Sequence, residues 1–166
     1  MLTKILIQAC LIVLFLDACK NIPCSNQSIT PVFVGFSTSE IDTFIVRKYQ
    51  KADNFRRLLD TALITNNSRI GWYISSHDTT IVLMDFIGGE RKKQLIPDYD
   101  WQIYIPSLQR TDSIQDIVSP QEDIDCFKCS CWNPINSFSQ NGTQVVPVQV
   151  KNHEVFGYSY PAYIHK

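Results

Sequence analysis

The chain has 166 residues with 15 basic and 16 acidic side chains, giving a formal net charge of −1 at pH 7. That balance excludes the basic footprint through which proteins hold nucleic acid, and a hydrophobic content of 45% excludes a disordered chain. Only 19% of residues are charged, which with plentiful Asn, Gln, Ser and Thr suits an exported domain better than a cytosolic enzyme.

Met1-Leu2-Thr3-Lys4 places one positive charge ahead of an apolar run from Ile5 to Leu16. A spanning helix needs roughly 20 apolar residues, so this run is too short to cross a bilayer. A basic start and an apolar core of about 7–15 residues match a secretory signal peptide. The run stops at Leu16-Asp17-Ala18-Cys19, which resembles the bacterial lipobox: an aliphatic residue three places before a cysteine and a small one directly before it. The resemblance implies a diacylglycerol on the Cys19 thiol, cleavage after Ala18 and acylation of the new amino terminus. Asp17 departs from the pattern, being charged where small or aliphatic residues are usual. An ordinary signal peptide cut nearby and a buried amino-terminal helix are the alternative readings. The expected organisation is a lipoprotein signal peptide over 1–18, a tether over 19–30 and one domain over 31–166. Residues 20–30, KNIPCSNQSIT, are polar and carry Pro23, as a tether would.

Strand signals follow. PVFVGFS (31–37) and EIDTFIVRKY (40–49) are rich in β-branched and aromatic residues and read as a hairpin across Ser37-Thr38-Ser39. RIGWYIS (69–75) and TTIVLMDFI (79–87) read as a second pair, ended by Gly88-Gly89. DWQIYIP (100–106) puts Trp101, Ile103 and Ile105 on one face and Gln102 and Tyr104 on the other. TQVVPVQV (143–150) and EVFGYSYPAYI (154–164) read as terminal strands, with Pro147 marking an edge or a bulge. Phe55, Leu58, Leu59, Ala62 and Leu63 have helical spacing, with Asp53 as a cap, while LLDTALI (58–64) also suits a strand. Segment 55–63 therefore stays open between helix and strand. The predicted fold class is mainly β: a single β-sandwich-like domain with at most one short helix, after a signal peptide.

Beyond Cys10 and Cys19, four cysteines remain: Cys24, Cys126, Cys129 and Cys131. Export to an oxidising compartment favours disulfides. A zinc site built on Cys-x2-Cys-x-Cys, a redox pair and free thiols are the alternatives. The site reading assigns no metal and no cofactor.

Catalytic signatures are sparse. His77 sits in SSHDTT, but triad members converge from separate segments rather than from neighbours. His153 and His165 have no partner at ligand spacing. Asp98/Asp100 and Glu122, Asp123 and Asp125 read as solvated turns, since paired acid–base carboxyls must face one another across a cleft. No Gly-x-Ser-x-Gly elbow, phosphate loop or dinucleotide fingerprint occurs. Trp72, Tyr73, Trp101, Tyr104, Trp132, Tyr158, Tyr160 and Tyr163 supply aromatic faces, either for core packing or for stacking on sugars. Three glycosylation sequons, at Asn26, Asn66 and Asn141, are an unremarkable excess over the number that chance gives in a chain this rich in Ser and Thr.

EIDTFIVRKYQ, DYDWQIYIPSLQRTDSIQDI and CWNPINSFSQNG together resemble a family of small lipoproteins of Bacteroidetes-type bacteria. Its members pair a short lipobox signal with an Asp-Thr strand, a Tyr-Asp-aromatic-x-Ile-Tyr strand and a late Cys-x-Asn-Pro-Ile segment followed by Asn-Gly. Here these fall on Asp42-Thr43, Tyr99 to Tyr104, Cys131 to Ile135 and Asn141-Gly142, so the resemblance spans most of 31–142. It implies an exported lipoprotein and brings no assigned activity. The expected function is a lipid-anchored envelope protein, a non-enzymatic structural or binding module whose membrane partner is reached through Cys19. A protein or glycan in the envelope is its expected further partner. A glycan-binding accessory protein or an envelope hydrolase is the alternative. Lys20, rather than Asp, after the cysteine leans towards the outer membrane, with secretion as the alternative.

Overall fold

A computed structural model of the chain describes residues 22–65, 72–75, 79–82, 94–121, 123–124, 132–151 and 158–166. Among them the strands are β1 (Ile22–Pro23), β2 (Ser25–Asn26), β3 (Ile29–Val34), β4 (Thr43–Gln50), β5 (Leu58–Thr65), β6 (Trp72–Ser75), β7 (Thr79–Val82) and β8 (Tyr99–Ile105). They continue with β9 (Arg110–Val118), β10 (Asp123–Ile124), β11 (Trp132–Asn133), β12 (Ser137–Gln140), β13 (Thr143–Val145), β14 (Val150–Lys151) and β15 (Tyr158–His165).

Six strands form an antiparallel sheet in the order β13-β12-β9-β8-β4-β5, and five form a second, mixed sheet in the order β14-β15-β3-β7-β6. The protein is therefore mainly β, and its two larger sheets share one core, beside the two-stranded pairs β1–β10 and β2–β11. Alternation builds the first inner face: Phe44 and Val46 of β4, Trp101, Ile103 and Ile105 of β8, and Ile114 of β9 are buried. Ile29 and Phe33 of β3 and Tyr160, Ala162 and Ile164 of β15 meet them from the second sheet. Phe33 and Phe44 bring the sheets together with ring centroids 5.4 Å apart. β3 lies mid-sheet and is buried along five of its six residues, in agreement with its run of apolar side chains. Pro31 is tolerated there because pairing with β7 begins only at Val32.

Several expectations need correction. PVFVGFS and EIDTFIVRKY are not a hairpin: β3 and β4 lie in different sheets, and the chain crosses between them through 35–42. Phe36 and Ile41 of that crossing are buried in the core. Segment 55–63, open between helix and strand, holds no helix; from Leu58 on it is β5, which pairs with β4 along its length, so the strand alternative stands and cross-strand pairing overrides a short helical spacing. Three helically spaced side chains that matched one face, Leu58, Leu59 and Leu63, are exposed on the sheet's edge strand. The segment expected as a tether up to residue 30 is already strand from Ile22, with Cys24, Ile29 and Thr30 buried. Trp72–Ser75 and Thr79–Val82 do pair as expected. TQVVPVQV is not one strand with an edge or a bulge at Pro147: it breaks over 146–149 into β13 and β14, which lie in separate sheets. β9 and β12, paired in the middle of the larger sheet, were not anticipated.

Candidate functional site at the proximal end

The chain comes into the sandwich at one end, here called proximal. There β3 and β15 begin, and so do β8 and β5, while β4 and β9 finish. Two contacts fix this correspondence between the sheets: the Ile29 amide donates to the Leu95 carbonyl at 2.9 Å, and Asn26 Nδ2 lies 3.4 Å from both oxygens of Asp98.

The turn 51–57 joins β4 to β5 at this end and carries Ala52, Asn54 and Phe55 at φ of 59°, 50° and 59°. Left-handed backbone is costly for residues with a Cβ and persists only where surroundings enforce it. Asp100 does the enforcing. Its Oδ2 accepts the Ala52 amide at 2.8 Å and its Oδ1 accepts the amide of Asp116, itself at φ 53°, at 3.3 Å. Lys51 Nζ adds two donations of 2.8 Å each, to the carbonyls of Pro97 and Ile117. The Phe55 ring closes edge-on against Tyr49, with centroids 5.2 Å apart. Burial raises the Asp100 carboxyl above its ordinary value, while the two amides oppose that rise. Both oxygens are occupied by amide hydrogens, which commits this carboxyl to holding backbone.

Beside the turn a polar ladder secures the incoming chain. β2 and β11 run parallel, with Ser25 opposite Trp132 and Asn26 opposite Asn133. Buried Asn133 donates through Nδ2 to the Cys24 carbonyl at 3.1 Å and to Asn26 Oδ1 at 2.9 Å. The Gln27 amide donates to the Asn133 carbonyl, and Gln149 Nε2 donates to Gln27 Oε1 at 2.9 Å. At this end Trp132, Val146 and Val148 are exposed by 52%, 76% and 76%, and Val118 is exposed at the end of β9.

A second polar cluster occupies the opposite end. Arg110 grips buried Asp112 through Nε and Nη2, each at 2.8 Å, and Asn141 Nδ2 adds a third donor at 2.8 Å. Arg110 Nη1 also donates to the His165 carbonyl, tying β9 to β15. Glu40 pairs with Lys166 at 2.7 Å and accepts from the Ser37 amide and hydroxyl. These contacts hold its carboxyl down to about 2.

Of the residues singled out from sequence, Cys24 is buried, and Cys19, Cys126, Cys129 and Cys131 lie outside the described residues. His77, His153, Glu122 and Asp125 lie outside them too. Asp98 is exposed as a turn residue should be, but Asp100 is 2% exposed, which corrects the solvated-turn reading. The aromatic faces divide: Trp101 and Tyr160 belong to the core, while Trp132 and Tyr163 are exposed. Sequence reasoning did not single out Lys51, Ala52 or Asp116. Asp53-Asn54 was their one turn signal. Among the described residues no group of three or more His, Cys, Asp or Glu side chains could hold a metal, and no helix is long and apolar enough to cross a membrane. No protein-family model, curated protein or solved structure matches the chain.

Proposed function

We propose that the protein is an exported, lipid-anchored envelope module that works by binding or scaffolding rather than by catalysis, with Cys19 as its acylated amino terminus. One observation carries the reading. The lipobox-like Leu16-Asp17-Ala18-Cys19 ends three residues before β1, and from Ile22 the chain is built into the sandwich. An anchor at Cys19 thus holds a folded β domain close to the bilayer. The use of the described buried acids supports the non-enzymatic half, since Asp100 and Asp112 are both spent on bonds that shape loops and strands. Several acyl chains anchor a protein stably where one does not, so a triacylated Cys19 suffices without a spanning helix.

The reading includes a disulfide from Cys24 to one of Cys126, Cys129 or Cys131. The burial of Cys24 and the export route support it. Membrane fractionation tests the anchor: the wild type stays with membranes through carbonate washing, and Cys19→Ser is found unprocessed or in the soluble fraction. A Cys19→Ser protein that still fractionates as a processed, palmitate-labelled species overturns it. A glycan array and a hydrolase panel test the other half. Turnover of any envelope polymer replaces the module with the enzyme.

A further inference from the structure

The proximal surface faces in a direction that the anchor determines. Two residues, Lys20 and Asn21, separate Cys19 from Ile22, so the backbone of Cys19 and β1 are linked by at most about 10 Å of chain. The end of the sandwich that holds residues 22–27 must then lie against the lipid surface. That same end exposes Trp132, Val146 and Val148, and the incoming chain places two of them directly. Trp132 stands opposite Ser25 in the β2–β11 register, and Val148 precedes Gln149, whose amide donates to Gln27. Single exposed apolar residues are ordinary, but an exposed tryptophan grouped with two valines that are three-quarters exposed is not. Tryptophan favours the headgroup level, where its ring is shielded and its N–H stays wet.

We infer that Trp132, Val146 and Val148 form an apolar tip that inserts into the headgroup interface of the bilayer holding Cys19. The occupant of this face is the lipid surface itself. The inference rests on the anchored reading of Cys19 and adds a second attachment, which fixes the orientation of the sandwich. The acyl chains set the distance from the membrane, and the tip sets the tilt. The opposite end, with Glu40, Arg110 and Lys166, is then turned away from the bilayer and offered to partners.

The test uses full-length protein purified from membranes and reconstituted in phosphatidylethanolamine–phosphatidylglycerol vesicles whose acyl chains carry bromine. Bromine quenches tryptophan only at close range. In a Trp72→Phe background the protein is expected to be quenched, and adding Trp132→Phe to remove more than half of that quenching, because the remaining Trp101 is buried in the core. Val146→Asp combined with Val148→Asp, both at exposed positions, is expected to reduce the quenching of Trp132 at least two-fold. Palmitate incorporation is measured on the same preparations. Acylated protein whose quenching does not depend on Trp132 overturns the tip and leaves the anchor standing. Protein without acyl chains that is still quenched through Trp132 overturns the anchor and upholds the tip. Absence of both overturns both.

Discussion

The Asp100 carboxylate accepts the amide of Ala52 across 48 residues of sequence, at 2.8 Å, and so sets the conformation of the turn that ends β4. Its other oxygen takes the amide of Asp116, where β9 is irregular. One side chain thus fixes two left-handed residues, one in the turn after β4 and one within β9, the two strands that flank its own. Replacing Asp100 with Ala is expected to leave both amides without this acceptor, at a cost of roughly 1–3 kcal/mol for each group that stays dry. Urea unfolding measures the loss, and faster amide exchange at Ala52 and Asp116 locates it. An unchanged midpoint would remove Asp100 from this role.

The strain in the turn gives a substitution of opposite sign. Ala52 has φ 59°, which glycine adopts without penalty. Ala52→Gly is expected to be neutral or to stabilise by up to about 1 kcal/mol, although glycine in regular structure usually destabilises. Ala52→Val, with a branched side chain in the same backbone region, is expected to lower the melting temperature. Thermal unfolding of the pair decides. Equal losses in both variants would mean that the turn does not hold this conformation.

Two carboxyls respond to pH in opposite directions. Lys166, then the Ser37 amide and hydroxyl, hold Glu40 down to about 2 from its ordinary 4.5, so its contribution to stability is complete above 4.5 and disappears as pH falls through about 2. Burial raises Asp100, so the folded state holds that proton more readily than the unfolded chain does. Stability from Asp100 therefore increases as pH falls through its raised value and is lost as pH rises through it. Glu40→Gln is expected to be less stable than wild type at neutral pH and to converge with it near pH 2. A pH-independent gap between their unfolding midpoints would contradict the ion pair.

The core offers a simpler check. Trp101 is 2% exposed, stands edge-on to Tyr99 with centroids 5.9 Å apart, and donates its indole N–H to the Ile96 carbonyl at 3.0 Å. Trp101→Ala is expected to cost about 3–5 kcal/mol. Tyr104→Ala, on the half-buried outer face of the same strand, is expected to cost much less, and denaturant midpoints of the two variants rank them.

These elements differ in how far the sequence revealed them. β8 was legible because its alternation is clean and its inward positions are Trp101, Ile103 and Ile105. β9 was hidden by two features. Asp112 points inward, paired with Arg110 and hydrogen-bonded by Asn141, and the left-handed Asp116 changes the phase so that Ile114 and Ile117 both face the core. The β12–β13 hairpin had a readable signal in Asn141-Gly142, both at positive φ as the tightest hairpin turns require. Its polar first strand, Ser137 to Gln140, concealed it. The fold class could be read from β-branched and aromatic runs. The sheet assignment of β3 and β4 could not, because a crossing between sheets and a hairpin carry similar turn residues. At the proximal end, the clamp depends on contacts between residues 48 and 66 apart, which local pattern does not encode.

The proposal that Cys19 is the acylated amino terminus of the mature protein stands or falls on the intact mass of protein purified from membranes. The expected mass lacks residues 1–18 and carries a diacylglyceryl thioether with an amide-linked acyl chain, both located on Cys19 by fragmentation. A mature chain that begins elsewhere, or that holds Cys19 with an unmodified thiol, would contradict it.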